Sequence, residues 1–485
     1  MSDTLNLRTL RESPSRETVD WAATHPLPPS SSTLDVNHET DRAETGTLES
    51  LEDENENDNA MSLAPVDRGF GAWSFLVAAF FVEAIVWGFP NSFGVFLAAY
   101  LSDPRFASQH DAASLLPLVG TLSSGIMYCS SPAIHALTGR RPYLRKPLLW
   151  AGAALCWTSL FAASYATKIT QLVILQGVVY AIGGSFLYHP CISYMSEWFV
   201  ARRGLANGIM FAGTGTGGLL LPIILPPLLN KLGAQTTLRV LSISIICALV
   251  PLLPFVKGRL PEARVHGPNA RSTDWSWTKN RALWMILVLN TKQGFAYFIP
   301  IIWLPTFATE LHISNTDSSL AIAFLNGASV CGRLAMGTLS DHFDPWLLGS
   351  ATLLSTSLAT FVLWGVLSRN LAGLLAYGIA YGALAGGWSS LWTGFVRPIA
   401  KDDPTLSTYI FGILMLSRGF GNVLSTPIST SLSRGEGSRS GRMGFDVAGG
   451  RFEKLIVYVG TCFAGAAVLA LAGWGVEKRR LLAGR

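Results

Sequence analysis

The chain has 485 residues, 49% of them apolar and only 14% charged, with a formal net charge of +5. With a mean hydropathy of +0.36, this composition excludes a string of soluble domains and places the chain in a bilayer. The small positive excess is spread over loops, so it gives no basis for nucleic-acid binding.

Residues 1–66 form a polar tail rich in Ser, Thr, Pro and acids, with Glu49, Glu52, Asp53, Glu54, Glu56 and Asp58 clustered near its end. It carries too little apolar surface to pack and is expected to be a disordered cytosolic extension. It has no apolar h-region, so no cleaved signal peptide is expected.

Twelve apolar runs follow, near 72–98, 112–136, 147–166, 170–195, 204–229, 238–256, 282–308, 317–340, 346–367, 371–396, 405–431 and 455–475. Each is long enough to cross about 30 Å of hydrocarbon as a helix. The expected organisation is a six-helix bundle over 67–256, a cytoplasmic linker over 257–281, a second six-helix bundle over 282–476 and a cytosolic tail over 477–485. Cys129, Cys156, Cys191, Cys247, Cys331 and Cys462 all fall in apolar runs without metal or redox spacing and read as small hydrophobes.

Lys and Arg set the orientation. Arg140, Arg141, Arg145 and Lys146, then Arg202 and Arg203, then the basic linker and the terminal Lys478, Arg479 and Arg480 fall on one side. The opposite loops carry fewer cations, half of them in 432–454, so both termini are expected in the cytoplasm.

The two halves repeat. Gly208-Ile209-Met210, Gly217 and Pro222-Ile223 return as Gly412-Ile413-Leu414, Gly421 and Pro427-Ile428, and Gly183-Gly184 returns as Gly386-Gly387. Two parallel six-helix halves joined by a basic loop describe the major facilitator architecture, with a substrate site near the midplane between them.

Four ionisable side chains fall deep in the runs: Glu83, Lys292, Arg333 and Arg418. A charge in hydrocarbon costs several kcal/mol, so each is a functional candidate. Glu83 and Lys292 lie at matching depth in equivalent spans and are expected to pair, the alternative being local backbone bonds for each. Three cations against one carboxylate favour an anionic substrate, and Glu83 is the deep carboxylate available to carry a proton. Asn91, Tyr188, Gln293, Tyr297, Asn326, Trp388 and Trp392 are candidate cavity residues, and His189 reads first as a packed or backbone-bonded histidine. Glu197, Arg202, Arg203 and Asp341 suit interfacial ion pairs that hold the cytoplasmic face closed. There is no nucleotide loop, metal-ligand cluster or nucleophile–base set, and Gly213-Thr-Gly215-Thr-Gly217 reads as a helix-packing face.

Trp87-Gly88-Phe89-Pro90-Asn91-Ser92-Phe93-Gly94, the run Glu197-Trp198-Phe199 with Arg202-Arg203-Gly204-Leu205-Ala206-Asn207-Gly208, and Gly332-Arg333 with Gly337 and Ser340-Asp341 resemble the monocarboxylate porter family of the major facilitator superfamily, in its fungal members. The resemblance covers roughly residues 67–475. It implies that Arg333 is the eighth-span arginine that binds a substrate carboxylate. Two departures argue against a lactate-type symport: Ser329 stands where the animal members have an aspartate, and Asn91 where they have a lysine. The resemblance also shows that Leu137-Thr-Gly139-Arg140-Arg141 lacks the usual loop aspartate, while Asp341 keeps its counterpart.

The expected protein is therefore an all-α membrane protein of twelve transmembrane helices, working by alternating access on a monocarboxylate or other organic anion. Export of a secondary metabolite is the alternative function. The expected substrate-binding set is Arg333, Lys292, Arg418, Asn91, Asn326, Tyr297 and Trp388. The expected partners are the substrate, protons and the bilayer of a plasma membrane, for a monomer without cofactor or metal.

Overall fold

The computed structural model describes residues 64–260, 276–313, 315–401, 403–433 and 443–483. Almost all of the expected N-terminal tail, most of the expected linker and the middle of the 432–454 loop lie outside the described residues.

Regular structure among the described residues is helical throughout. Helix α1 (Gly69–Ser102) carries Pro90 in its interior. Helices α2 (Ala112–Cys129) and α3 (Ser131–Arg140) divide the expected second span at Ser130, where Pro132 in the first turn of α3 has no amide to continue the ladder. Helix α4 (Arg145–Ala163) and α5 (Ile169–Trp198) follow, with π-helical turns at Val173–Val179 in α5. The expected fifth and sixth spans appear as the two arms of α6 (Arg203–Phe255), separated at Gly233. There φ is 73° and ψ 168°, a backbone conformation open to glycine, so α6 has two arms, 203–232 and 234–255.

The remaining helices are α7 (Arg281–Glu310), α8 (Asn315–Ser340), α9 (Pro345–Leu367), α10 (Leu371–Ala400), α11 (Pro404–Leu432) and α12 (Glu453–Ala483). Polar caps mark where chains leave the apolar layer. Asn280, Asp344, Asn370 and Asp403 each accept amide protons from the first turns of α7, α9, α10 and α11.

Among the described residues eight helices are long and apolar enough to cross a membrane: α1, α5, α6, α7, α8, α9, α10 and α12. Large apolar side chains such as Leu220, Ile223, Val288, Leu358 and Val468 are exposed on helix surfaces. In water these faces would be a liability, whereas in lipid they are the expected solvent contact, so the protein is an integral membrane protein.

Glycine sets the helix spacing. A Cβ on Gly213 would overlap the carbonyl of Phe80, and one on Gly217 that of Ala84, so the first arm of α6 lies backbone to backbone on α1. Gly421 meets Gly294 in the same way, joining α11 to α7. Such approaches substitute close packing for a hydrophobic driving force that lipid does not supply.

Candidate functional site

Two of the buried arginines converge on one region. Arg418, on α11, donates from Nη1 to Gln293 Oε1 on α7 at 2.9 Å. Its guanidinium carbon lies 4.1 Å from the ring centre of Tyr297, 5.5 Å from Phe298 and 5.8 Å from Trp392. Aromatic faces hold a cation in place without neutralising it. Arg418 is 3% exposed and forms no ion pair with a carboxylate among the described residues. Beside it, Gln293 Nε2 and Trp392 Nε1 are buried donors without an acceptor among the described residues, as is Trp87 Nε1 farther off against Tyr128. An unpaired buried donor costs about 1–3 kcal/mol, so leaving several together calls for a physical reason.

Arg333, on α8, donates from Nε to the carbonyl of Gly386 at 3.2 Å and from Nη1 to the carbonyl of Phe211. Gly386 ends the α-helical part of α10, just before 3-10 turns at Gly387–Leu391. The charges of Arg333 and Arg418 both act on Tyr128, which packs 4.7 Å from Trp87 and 6.0 Å from Phe298. Tyr188 lies on the same cluster, 5.6 Å from Trp87, and donates to Met415 Sδ at 3.3 Å.

Glu83 is 2% exposed and accepts a hydrogen bond from Thr214 Oγ1 at 2.6 Å, within the field of Arg333. Asn91 donates to the carbonyl of the same Thr214 at 3.4 Å. Thr214 thus joins two α1 side chains to α6. Asn326 donates to the carbonyl of Gly218 at 3.1 Å, bridging α8 and α6. Trp388 donates to Asn290 Oδ1 at 2.8 Å, and Asn290 in turn donates to Leu414 O and Ser417 Oγ, so this tryptophan is fixed against α7 and α11. Tyr297 accepts from Tyr381 Oη through its carbonyl, leaving its ring to Arg418.

Lys292 departs from expectation. Its amino group occupies the space a Cβ on Gly465 would take, and its charge reaches Cys462, so it faces α12. It forms no ion pair with Glu83. The reason is azimuth: successive helical residues turn by about 100°. Gln293 therefore faces α11 while its neighbour Lys292 faces α12, at unchanged depth.

The residues expected to gate make other contacts than the interfacial ion pairs anticipated. Asp341, at the end of α8, accepts from the amides of Gly204 and Leu205 at 2.8 and 2.9 Å. A carboxylate on a helix N-terminus gains from both the free amides and the dipole. This is an inter-helix cap in place of an ion pair. It is possible because Gly204 and Gly208 of α6 lie directly on Gly337 of α8. Arg203 donates to Phe199 O, Ser196 O and Ser407 Oγ, the last on α11. Glu197 does form an ion pair, at 2.6 Å, but with Arg145 of α4, and it also accepts from the amides of Arg259 and Leu260. The amide of Arg202 donates to Asp67 and the residue is otherwise exposed.

Thr214, Tyr128, Trp87 and Phe298 were not anticipated. Thr214 sat inside a glycine run whose glycines do pack as expected, which hid the one polar side chain aimed at Glu83. Among the described residues no group of three or more His, Cys, Asp or Glu side chains is placed to hold a metal ion.

Residues 75–426 match the family model described as Major Facilitator Superfamily. The chain is 25% identical over 375 residues to the MFS transporter asaE of Aspergillus flavus, covering 77% of this chain and 83% of that protein. It is 27% identical over 402 residues to the Fujikurins efflux protein of Gibberella fujikuroi, covering 81% and 82%. It is also 27% identical over 347 residues to Monocarboxylate transporter 10 of Danio rerio, covering 69% and 66%. Among solved structures, the proton:xylose symporter XylE bound to 6-bromo-6-deoxy-D-glucose superposes with a TM-score of 0.60 at 14% identity, over 83% of this chain and 95% of that one, a likeness of fold.

Proposed function

The chain belongs to the Major Facilitator Superfamily, and from that premise we propose that it exports an organic anion by alternating access, docking the anion between two six-helix halves. The halves are 67–256 and 282–476, giving twelve spans with α2–α3 forming one and α6 two. The matched contacts of Gly217 on α1 and Gly421 on α7 support this repeat. The basic loops and tail support cytoplasmic termini, and a plasma membrane fits an exporter that acts as a monomer.

The observation that carries the substrate class is the setting of Arg418. It is buried, ringed by Tyr297, Phe298 and Trp392, and surrounded by donors without acceptors. A carboxylate or similar acid satisfies Arg418, Gln293 and Trp392 together, with Arg333 completing the positive field. The aromatic walls suit an unsaturated or ring-bearing acid. The efflux of fujikurins named for one relative supports export over uptake of a small monocarboxylate. Glu83 is the proton carrier in this reading, because it is buried beside Thr214 within reach of the Arg333 charge.

Asn91 and Asn326 hold α6 against α1 and α8, and Trp388 holds α10 against α7. Asp341 and Arg203 bridge the two halves at the cytoplasmic end in this reading, while Glu197 and Arg145 tie α5 to α4 within the first half. The test is uptake of a panel of labelled organic acids into inside-out vesicles under an imposed pH gradient. Accumulation by the wild type that is lost in Arg418→Gln supports the proposal, and equal accumulation in both sinks it.

A further inference from the structure

Below the anion site lies a second buried polar group that the reading above does not use. His135 on α3 and His189 on α5 pack edge to face, their ring centroids 5.0 Å apart, at 5% and 0% exposure. His189 Nε2 lies 3.1 Å from the carbonyl of Met127, which can only accept, so Nε2 carries the hydrogen and Nδ1 is bare. His189 Nδ1 and both nitrogens of His135 have no hydrogen-bond partner. Three unpaired ring nitrogens in one buried place are costly and call for a physical reason.

Their position in the fold supplies one. Gly412 of α11 crosses directly over His135, where an added Cβ would lie 2.9 Å from Cδ2 and 3.4 Å from Ser131 Oγ. One turn nearer the cytoplasm, Thr408 of α11 meets Ser196 of α5 at 3.5 Å. The imidazole of His135 is therefore sealed beneath the contact between the two proposed halves, a few residues from the end of α3 at Arg140.

We propose that His135, backed by His189, is the proton-responsive element of the cytoplasmic gate: a proton taken up at His135 parts α11 from α3 and favours the inward-facing state. This rests on the cytoplasmic placement of the Arg140 end argued above. The charged and titratable groups around the pair decide the sign. On α4 it is Arg145, whose positive charge acts on His135. On α5 it is Glu197, already bound to Arg145 and two amides, and Tyr188, 5.0 Å from His189. On α11 the facing residue is Gly412, with Thr408 before it. No carboxylate among these is free to pair with an imidazolium, and the nearest fixed charge repels it. A charge so placed is relieved only by water, and water reaches His135 when α11 withdraws. Closing the gate in turn expels the proton, so the pair links cytosolic acidity to gate position without touching the substrate.

The experiment is the distance across this seam in the full-length protein, read by spin-label spectroscopy between Arg140→Cys and Thr405→Cys, with Cys247→Ser and Cys331→Ser to silence exposed thiols. No substrate is added, so the result is independent of whether the anion assignment holds. On acidification from neutral pH the open-to-closed ratio should rise, by up to about tenfold per pH unit, the limit for one proton taken up on opening. His135→Phe, which keeps a ring of similar size, should hold the ratio flat while the protein remains folded and monodisperse. His189→Gln should weaken the response. A wild-type ratio that does not change with pH overturns the proposal with no variant needed. A response that survives intact in His135→Phe overturns it by placing the titrating group elsewhere.

Discussion

The hydroxyl of Thr214 lies 2.6 Å from Oε1 of Glu83, and the two belong to different helices packed backbone to backbone. Gly213 and Gly217, on either side of Thr214, bring α6 onto α1 closely enough for so short a side chain to reach the carboxylate. The glycines supply the distance and the threonine supplies the bond. This pairing, rather than one with Lys292, fixes the single deep carboxylate of the site.

Removing that donor tests the link. Thr214→Val keeps the shape and removes a hydrogen bond to a buried carboxylate, a loss of about 1–3 kcal/mol. Proton-driven transport should fall by about tenfold or more, and Thr214→Ser should retain most of it. Initial rates in vesicles, compared at equal protein content, give the answer.

Lys292 should be dispensable for anion recognition, because its side chain faces α12. In Lys292→Met the apparent KM for the transported acid should stay near the wild-type value, whereas Arg418→Met should raise it by about ten- to a hundredfold, as expected for loss of hydrogen bonds to a charged group. The double exchange Glu83→Lys with Lys292→Glu should not restore transport. Rescue by that exchange would show that the two side chains meet in some other state of the cycle.

The cap that Asp341 places on α6 should hold the cytoplasmic face closed. Asp341→Ala deprives the amides of Gly204 and Leu205 of their acceptor, a loss of about 1–2 kcal/mol. The open-to-closed ratio across the cytoplasmic seam should rise by roughly 5–30-fold. Distance measurements between labels on the ends of α6 and α8 report it directly, and an unchanged ratio would assign closure to the other contacts.

Gly337 should tolerate no side chain. A Cβ there would lie 2.5 Å from the carbonyl of Gly204 and 2.9 Å from Cα of Gly208. Gly337→Ala should cost about 1–3 kcal/mol of closed-state stability through overpacking. The variant should still insert in the membrane but transport poorly, with the seam trapped open.

Much of this architecture is legible in the sequence because lipid imposes simple rules. The run expected at 282–308 appears as Arg281–Glu310, and that at 371–396 as Leu371–Ala400. The runs expected at 204–229 and 238–256 appear as the two arms of α6, parted at Gly233, whose backbone is not helical. The charges Glu83, Arg333 and Arg418 stood out because burying them is expensive, and all three are buried. Their partners did not stand out. Depth follows from counting residues, whereas the direction a side chain faces depends on which neighbour the helix turns toward, and Lys292 beside Gln293 shows the difference. Asp341 was expected in an interfacial ion pair, but a cap on backbone amides leaves no trace in the residue pattern. His135, near the Arg140 end of its expected span, carries no signal in the sequence, because only the crossing of α11 at Gly412 covers it.

The central claim is that the guest is held by its negative charge at Arg418 and Arg333. Its most direct test is to compare, in wild-type vesicles, uptake of a transported acid with uptake of its primary amide, which has nearly the same shape and no charge. The account predicts that the acid accumulates and that the amide neither accumulates nor competes. If the amide is carried as well as the acid, charge recognition at these arginines is contradicted.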